Sequence, residues 1–390
     1  MPSARTYDVI VVGGGSVGIP SAYYLAKQGL KVLVLERRPA VGQGDNKAAI
    51  GGIRATHSDA AKILLCTRSL DVVSTWKQQH GDEIGWKPGG YCFPVYDEGL
   101  EKKLRSLLPM QHKHGLKNDW VDAATVAELV PGINPEGLRG GTYSPDDGQS
   151  SPLLIPVVLM RHAARHGAEL RVNERVVGYL LEGQAIKGVK TDKDTYFAPH
   201  VVLATGADAA EHGKLLGLDI PVTPDSHEAG ITAPVEHFIR PLVVDMRPGP
   251  EGKTANFYFG QNHEGQIIFC YTPKELFVGQ NRESLSEFLP ILAARMISLV
   301  PRLKHVLVRR IWRGCYPMTP DGIPIIDNAS QIKGLTLALG MCGQGFMLGI
   351  GVGQEVASFV VDSKPALPPE VAKDVRFGGD FYSGTKEALK

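Results

Sequence analysis

Little in this chain points to a strongly charged partner or to a covalent framework. Its 390 residues carry 42 Lys and Arg against 41 Asp and Glu, a formal net charge of +1. That balance leaves no basic footprint for nucleic acid and no polybasic segment for an anionic membrane. Five cysteines (66, 92, 270, 315, 342) are odd in number, widely spaced and include no CxxC. Structural disulfides and zinc or iron–sulfur sites are therefore not expected, and the cytoplasm is the expected compartment. The apolar run at 335–352 is broken by glycines and a glutamine, so it reads as no membrane span. The polar start MPSARTYD leaves no room for a signal or transit peptide before the first apolar segment, so none is expected. His112 and His114 form an HxH in a polar stretch, which reads as a solvated pair rather than a metal site.

Glycine, by contrast, is abundant, at 45 residues. Three of them, Gly13, Gly15 and Gly18, form Gly-x-Gly-x-x-Gly in GGGSVGIPSAYYLAKQGLKVLVLE. The context gives the pattern its meaning. The apolar, β-branched YDVIVV before it predicts a buried strand. Ala22, Leu25 and Ala26 then recur at helical spacing until Gly29, and KVLVLE predicts a second strand ending in Glu36. Strand, glycine turn, helix, strand and acid in that order are what a Rossmann βαβ unit needs. Gly13 permits the tight turn, Gly15 lets backbone approach a pyrophosphate, and Gly18 lets helix pack on strand. The helix N-terminus supplies N–H donors for phosphates. Glu36 can accept from a ribose hydroxyl pair, which argues against a 2′-phosphate. The segment predicts an adenine dinucleotide site.

With 43% hydrophobic and 21% charged residues, the chain has material for two or three domains. Residues 42–60 are rich in glycine and small side chains and predict a loop, followed by an amphipathic helix from Ala60 to Gln79. A helix and strand follow at 152–173, then a hairpin turning near Glu182-Gly183. HVVLATGADA predicts another buried strand, a helix is expected around 284–299, and 334–361 reads as strand, glycine loop and helix. A second helix N-terminus so late in the chain suggests another negative charge to stabilise, for which a reduced flavin is suited.

Several segments together resemble the FAD-dependent family of D-amino-acid oxidase, glycine oxidase and sarcosine oxidase. They are GGGSVG with LE at 35–36, GGIR at 51–54, GTYSPDDGQSSP at 141–152, VVLATGA at 201–207, RIWRGCYPMTPDGIPIID at 310–327 and GMCGQGFMLGIGVGQEVA at 340–357. The chain is most similar to the branch of sarcosine oxidases and L-proline dehydrogenase β subunits. The resemblance implies an α/β fold, with a Rossmann-type FAD-binding domain (glutathione-reductase-like) and an inserted α+β substrate domain built on a mixed sheet. On this reading 1–85, 145–224 and 312–365 form the discontinuous FAD-binding domain, 86–144 and 225–311 the substrate domain, and 366–390 a C-terminal tail expected to pack as an irregular strap or to fray.

The same resemblance implies which residues act. FAD would be held by Gly13, Gly15, Ser16, Val17 and Gly18, and by Glu36 and Arg37. Lys47, Ala48, Ala49, Ile50, Gly51 and Gly52 would line the ring, and the backbone of Val176 would meet the adenine. Thr205, Gly206 and Gly314 would complete the site, with Gly343, Gln344, Gly345, Phe346 and Met347 capping the pyrimidine. Arg54 would hold the substrate carboxylate bidentately, with Tyr258 and Tyr316 shaping the pocket. Gly314 stands where monomeric sarcosine oxidases bear a flavin-linked cysteine, so non-covalent FAD is expected, with Cys315 a packed thiol. Met347 replaces a lysine that assists carboxylate binding there. The oxygen-activating lysine of the oxidases falls at Ile267, which favours a dehydrogenase.

The expected reaction is oxidation of a C–N bond in a small amino acid or amine, such as sarcosine, proline or a similar N-alkyl amino acid, with hydride transfer to flavin N5. Two alternatives stay open. One is an FAD-linked 2-hydroxy-acid or D-amino-acid dehydrogenase, which a pocket histidine would favour. The other is the catalytic subunit of a heteromeric dehydrogenase that passes electrons to a partner subunit.

Overall fold

Alternation of apolar residues with period two makes short buried strands. In the computed structural model, which describes residues 5–249, 252, 254–378, 381 and 389, these strands build two large sheets. The first has six strands in the order Ile325–Asn328, Leu335–Leu339, His200–Leu203, Val9–Val12, Val32–Leu35 and Glu169–Arg171. Its neighbours run parallel except the Ile325–Asn328 edge. Val9 and Val11 point into one core with the helices Gly18–Lys27, Ala60–His80, Leu154–Arg165 and Gly345–Val361. Ile10 and Val12 point into the other, closed by the antiparallel strands Val176–Glu182, Ala185–Thr191 and Thr195–Phe197. Both faces are covered, which is why the central strands Val9–Val12 and Val32–Leu35 are apolar at every position.

The second sheet has eight strands, in the order Val308–Met318, Thr223–Pro234, Gln266–Pro273, Thr254–Gln261, Leu242–Asp245, Tyr91–Val95, Gly140–Ser144 and Asp119–Val121. All pairs are antiparallel except Leu242–Asp245 with Tyr91–Val95, so the sheet is mixed. One face carries Phe257, Phe259, Ile267 and Phe269 onto the helix Phe288–Leu299. The opposite face presents Tyr258, Cys270 and Tyr316 to a cavity.

The segment 42–60, expected as loop throughout, contains a 3-10 turn at Asp45–Ala48 and a two-residue strand, Gly52–Ile53. That strand pairs with Gly148–Gln149, which also pairs with Lys87–Pro88. This small three-stranded sheet fixes the backbone on which Arg54 stands. The next helix, Ala60–His80, is capped by the Asp59 carboxylate accepting from Lys62 N–H at 2.9 Å, and ends on left-handed Gly81. In the tail, Val371, Ala372 and Val375 pack into the first core; most of the expected tail beyond 378 lies outside the described residues. Among the described residues, no helix is long and apolar enough to cross a membrane.

Candidate active site

The glycine turn bounds a cavity of about 400 Å³ between the two large sheets. Gly13 adopts φ +108°, and a Cβ there would lie 2.3 Å from the Ala204 carbonyl oxygen. At Gly18 a Cβ would lie 1.9 Å from the Gly13 carbonyl oxygen, so helix and strand meet backbone to backbone. Gly15 is different: nothing lies within 4 Å of its Cβ position, which leaves the cradle a phosphate would take. The second helix N-terminus, at Gln344 and Gly345, reaches the same cavity. It is seated by Gly349, whose Cβ position is 1.9 Å from the Ser16 carbonyl oxygen.

The polar inventory of the walls tests whether a dinucleotide suits them. Arg38 Nε, Asn46 Oδ1, Thr205 Oγ1 and Gln344 Oε1 are buried without a hydrogen-bond partner, and all four residues line the cavity. Buried polar atoms left unmatched are costly. Unmatched donors and acceptors beside two helix N-termini therefore fit FAD, which is polar along its length and anionic at its pyrophosphate. Glu36 lines the cavity with its two oxygens accepting from Gly14 N–H at 2.8 Å and Arg38 N–H at 2.7 Å, which fixes the carboxylate while leaving lone pairs for ribose hydroxyls.

The cavity also reaches a cluster of substrate-binding character. Arg54 is 6% exposed; its Nη1 donates to the Thr56 carbonyl and its Nη2 to the Leu389 carbonyl. The Ala55 N–H donates to Asp147 at 2.9 Å, so this carboxyl anchors the turn after Arg54. Burial pushes the Asp147 carboxyl up to about 6, against the lowering effect of the Ala55 N–H, Ser144, Arg54 and Thr56. The Tyr258 and Tyr316 hydroxyls share a hydrogen bond of 2.6 Å, and Tyr258 also donates to Cys270 Sγ at 3.0 Å. Burial holds both phenols well above the ordinary tyrosine value and pushes the Cys270 thiol up to about 12, so all three are neutral at physiological pH. The Tyr316 ring stacks on His227 at 3.9 Å, and His227 Nε2 lies 2.8 Å from the Asp225 carboxylate.

Arg54, Tyr258 and Tyr316 thus line one cavity with Gly13, Gly15, Ser16, Val17, Glu36, Arg37, Ala48–Gly52, Thr205, Gly206, Gly314 and Gly343–Met347. Three expected residues are absent from this lining. Gly18 acts behind the wall through the contact with Gly13, Lys47 is exposed, and the Val176 side chain is buried in the second core, whereas the contact expected of Val176 is through its backbone. Ile267 is a further correction: it points into the core with Phe257 and Phe269, while Cys270 and Thr272 of the same strand line the cavity. A one-residue change of register exchanges those faces.

Sequence reasoning missed Asp225 and His227. Their signal was strand alternation: Asp225, His227 and Ala229 face the cavity, whereas buried Glu228 pairs with Arg313 at 3.1 Å. Register sets Asp225 opposite Tyr316 and His227 opposite Gly314. His57 lies against Arg54, with Nδ1 3.5 Å from Nη1 and Nε2 3.3 Å from Cys66 Sγ.

Residues 8–359 match the family described as DAO, FAD dependent oxidoreductase. The chain belongs to this family of FAD-dependent enzymes. It is similar to L-proline dehydrogenase from P. horikoshii, with TM-score 0.89 and 30% identity over 96% of this chain and 98% of that one. Glycine oxidase from Geobacillus kaustophilus shares the fold, at TM-score 0.84 and 24% identity, covering 96% of this chain and 100% of that one. Mitochondrial sarcosine dehydrogenase of Mus musculus is 25% identical across 93% of this chain but only 40% of its own length. The bifunctional protein ThiO/ThiG of Trichormus variabilis is 29% identical across 92% of this chain and 53% of its own length. The chain therefore spans about half the length of these two relatives.

Proposed function

We propose that this chain oxidises the C–N bond of a small amino acid that is a secondary amine, of the proline or N-alkyl amino acid kind, and works as a dehydrogenase. The observation that carries this reading is Arg54: a buried guanidinium at the cavity wall, on a backbone fixed by a small sheet, in the same cavity as two neutral tyrosines. Such a group pairs with a carboxylate through two parallel hydrogen bonds and so fixes the substrate's orientation. Similarity to L-proline dehydrogenase supports the same class of substrate.

FAD would be held by the Gly13–Val17 turn, the Ala48–Gly52 segment and the Gly343–Met347 loop, and would supply the acceptor for the electron pair. The chain's own groups do the rest. Arg54 binds the carboxylate, and the Tyr258 and Tyr316 hydroxyls hydrogen-bond the amine side. The apolar walls Leu242 and Val244 exclude water. The higher identity to L-proline dehydrogenase, 30%, than to glycine oxidase, 24%, supports a dehydrogenase over an oxidase. Gly314 supports non-covalent cofactor, since a Cβ there would lie 2.5 Å from the Ala48 Cβ and leaves a cysteine no room.

His227 favours a second reading. Backed by Asp225, it can take a proton at Nδ1, which is buried and unpartnered. That is what oxidation of a 2-hydroxy acid requires. Anaerobic absorbance of the FAD-loaded protein, titrated with secondary amino acids and with 2-hydroxy acids and then exposed to air, separates the two. Bleaching of the band near ~450 nm by the amines alone, with slow recovery in air, is expected. Bleaching by hydroxy acids alone replaces this reading with the second, and rapid recovery with peroxide makes the protein an oxidase.

A further inference from the structure

Arg54 already holds a ligand, and it belongs to the chain itself. Its Nη2 donates to the main-chain carbonyl of Leu389, whose side chain is only 3% exposed. That side chain packs in one apolar cluster with Tyr91, Phe93, Val95, Leu104, Leu242 and Val244. Tyr91, Leu242 and Val244 also line the cavity. One residue thus makes two contacts at once, a carbonyl oxygen on the guanidinium and an isobutyl group in an apolar socket beside it.

The covalent geometry of that residue is informative. In Leu389 the carbonyl carbon and the side chain are both attached to Cα. In a free α-amino acid the carboxylate carbon and the side chain are attached in the same way. A group that satisfies Arg54 through its carbonyl and fills the socket through its side chain therefore has the spacing of an amino-acid substrate. We propose that the socket filled by Leu389 is the side-chain subsite of the Arg54 site, that the substrate bears a branched or cyclic apolar side chain of leucine size, and that Leu389 competes with it. The inference rests on the reading of Arg54 as the carboxylate anchor.

Physical chemistry sets the direction of the competition. A carboxylate offers Arg54 a full charge and a second oxygen, where Leu389 offers one neutral carbonyl, so the free ligand makes the stronger contact. Leu389 has the advantage of being tethered, which gives it an effective concentration in the ~mM range. Only the fraction of molecules with Leu389 displaced is competent, and the apparent dissociation constant is the intrinsic one divided by that fraction. A substrate with no side chain leaves a void there, and voids are costly.

The test uses the full-length FAD-loaded protein and two inert probes, 4-methylpentanoate and acetate, with binding read by perturbation of the flavin spectrum and by calorimetry. Neither needs turnover, so the result stands apart from whether amines are oxidised. The wild-type protein is expected to bind 4-methylpentanoate at least ~10-fold more tightly than acetate, as filling an apolar socket allows. Leu389→Gly, checked for an unchanged melting temperature, is expected to tighten both probes several-fold while keeping their ratio. Val244→Asn is expected to erase the ratio. Equal affinity of Leu389→Gly for the two probes would overturn the subsite, and unchanged affinities in that variant would overturn the competition. Selective binding of 4-methylpentanoate without bleaching by any amine would leave the subsite standing and remove the proposed reaction.

Discussion

A guanidinium buried as deeply as Arg54 must have its charge met from within. The groups around it are the Thr56 and Leu389 carbonyls, the face of Phe93 with the guanidinium carbon 5.7 Å from the ring centroid, and the Asp147 carboxyl that also anchors Ala55. Lysine cannot reproduce the planar fork, so Arg54→Lys is expected to weaken inert carboxylate probes ~10-fold or more, the equivalent of ~1.5–3 kcal/mol for charge-assisted hydrogen bonds. A change below threefold would mean that Arg54 does not bind the carboxylate. Asp147 adds a pH dependence. Its titratable or charged neighbours are Arg54, Tyr91 and Tyr143, and burial raises its folded value to about 6 from an ordinary value near ~4. Between those values the folded chain keeps a proton that the unfolded chain has lost, so stability falls as pH rises through the window. Ionised Asp147 also offsets the charge of Arg54, so probe affinity is expected to fall as pH rises through about 6. Asp147→Asn keeps an acceptor for the Ala55 N–H and should flatten both profiles. Denaturant melts and probe titrations spanning both values, from about pH 3.5 to 8, check this, and an unchanged step in the variant would assign it to another group.

At the scale of elements, the helix Gly345–Val361 sets the second helix N-terminus on the cavity, and glycine lets it come close enough. Cβ atoms at Gly349, Gly351 and Gly353 would lie 1.9 Å from the Ser16 oxygen, 2.1 Å from the Leu65 oxygen and 2.6 Å from the Pro20 carbonyl carbon. All three obstacles are backbone, which cannot swing aside. Gly349→Ala gains up to ~1 kcal/mol in helix propensity but forces the helix away from the Ser16 turn, an overpacking cost of ~1–3 kcal/mol or more. The expected result is a lower melting temperature together with weaker FAD binding in fluorescence titration, because the turn and the helix N-terminus move together. A stabilised variant with wild-type FAD affinity would contradict this packing argument. These elements were legible in the sequence because their signals are local: the turn from Gly13 to Glu36 and the strand–loop–helix at 334–361 each declare themselves within one supersecondary unit. His227 and Leu389 were not legible in this way. Their positions depend on pairing between Thr223–Pro234 and Val308–Met318, and on a contact across 335 residues. The same limit explains Ile267, since a strand's facing cannot be fixed by spacing when its partners are unknown.

At the scale of the whole molecule, the two large sheets meet around the cavity through a few polar ties. The Asp45 carboxylate accepts from Arg282 at 2.6 Å and from the Cys315 N–H at 2.8 Å. Gln280 donates to Asp208 at 2.9 Å, and Asp208 pairs with Arg37 at 2.6 Å. Trp312 Nε1 donates to the Ala48 carbonyl at 2.9 Å. Asp45, Asp208, Arg37 and Ala48 all border the cavity, so the ties that join the sheets also form its rim. A cofactor that contacts both sides strengthens the junction by mass action, by an amount set by its affinity. The Asp45–Arg282 pair is part-exposed, with side chains 25% and 31% accessible, so the ion pair alone contributes no more than ~1 kcal/mol. Asp45 matters beyond that pair, because removing it also leaves the Cys315 N–H without its acceptor. Asp45→Ala is therefore expected to lower the melting temperature more than Arg282→Met does even without FAD, because the Cys315 N–H loses its acceptor in either state, and to reduce the FAD-induced rise further. Scanning calorimetry of wild type and the two variants, each with and without FAD, reads the difference directly. If both variants lose equally with and without FAD, the ties hold the sheets together but take no part in holding the cofactor. A loss that is larger in the FAD-loaded protein makes the rim itself the part of the junction that the cofactor completes.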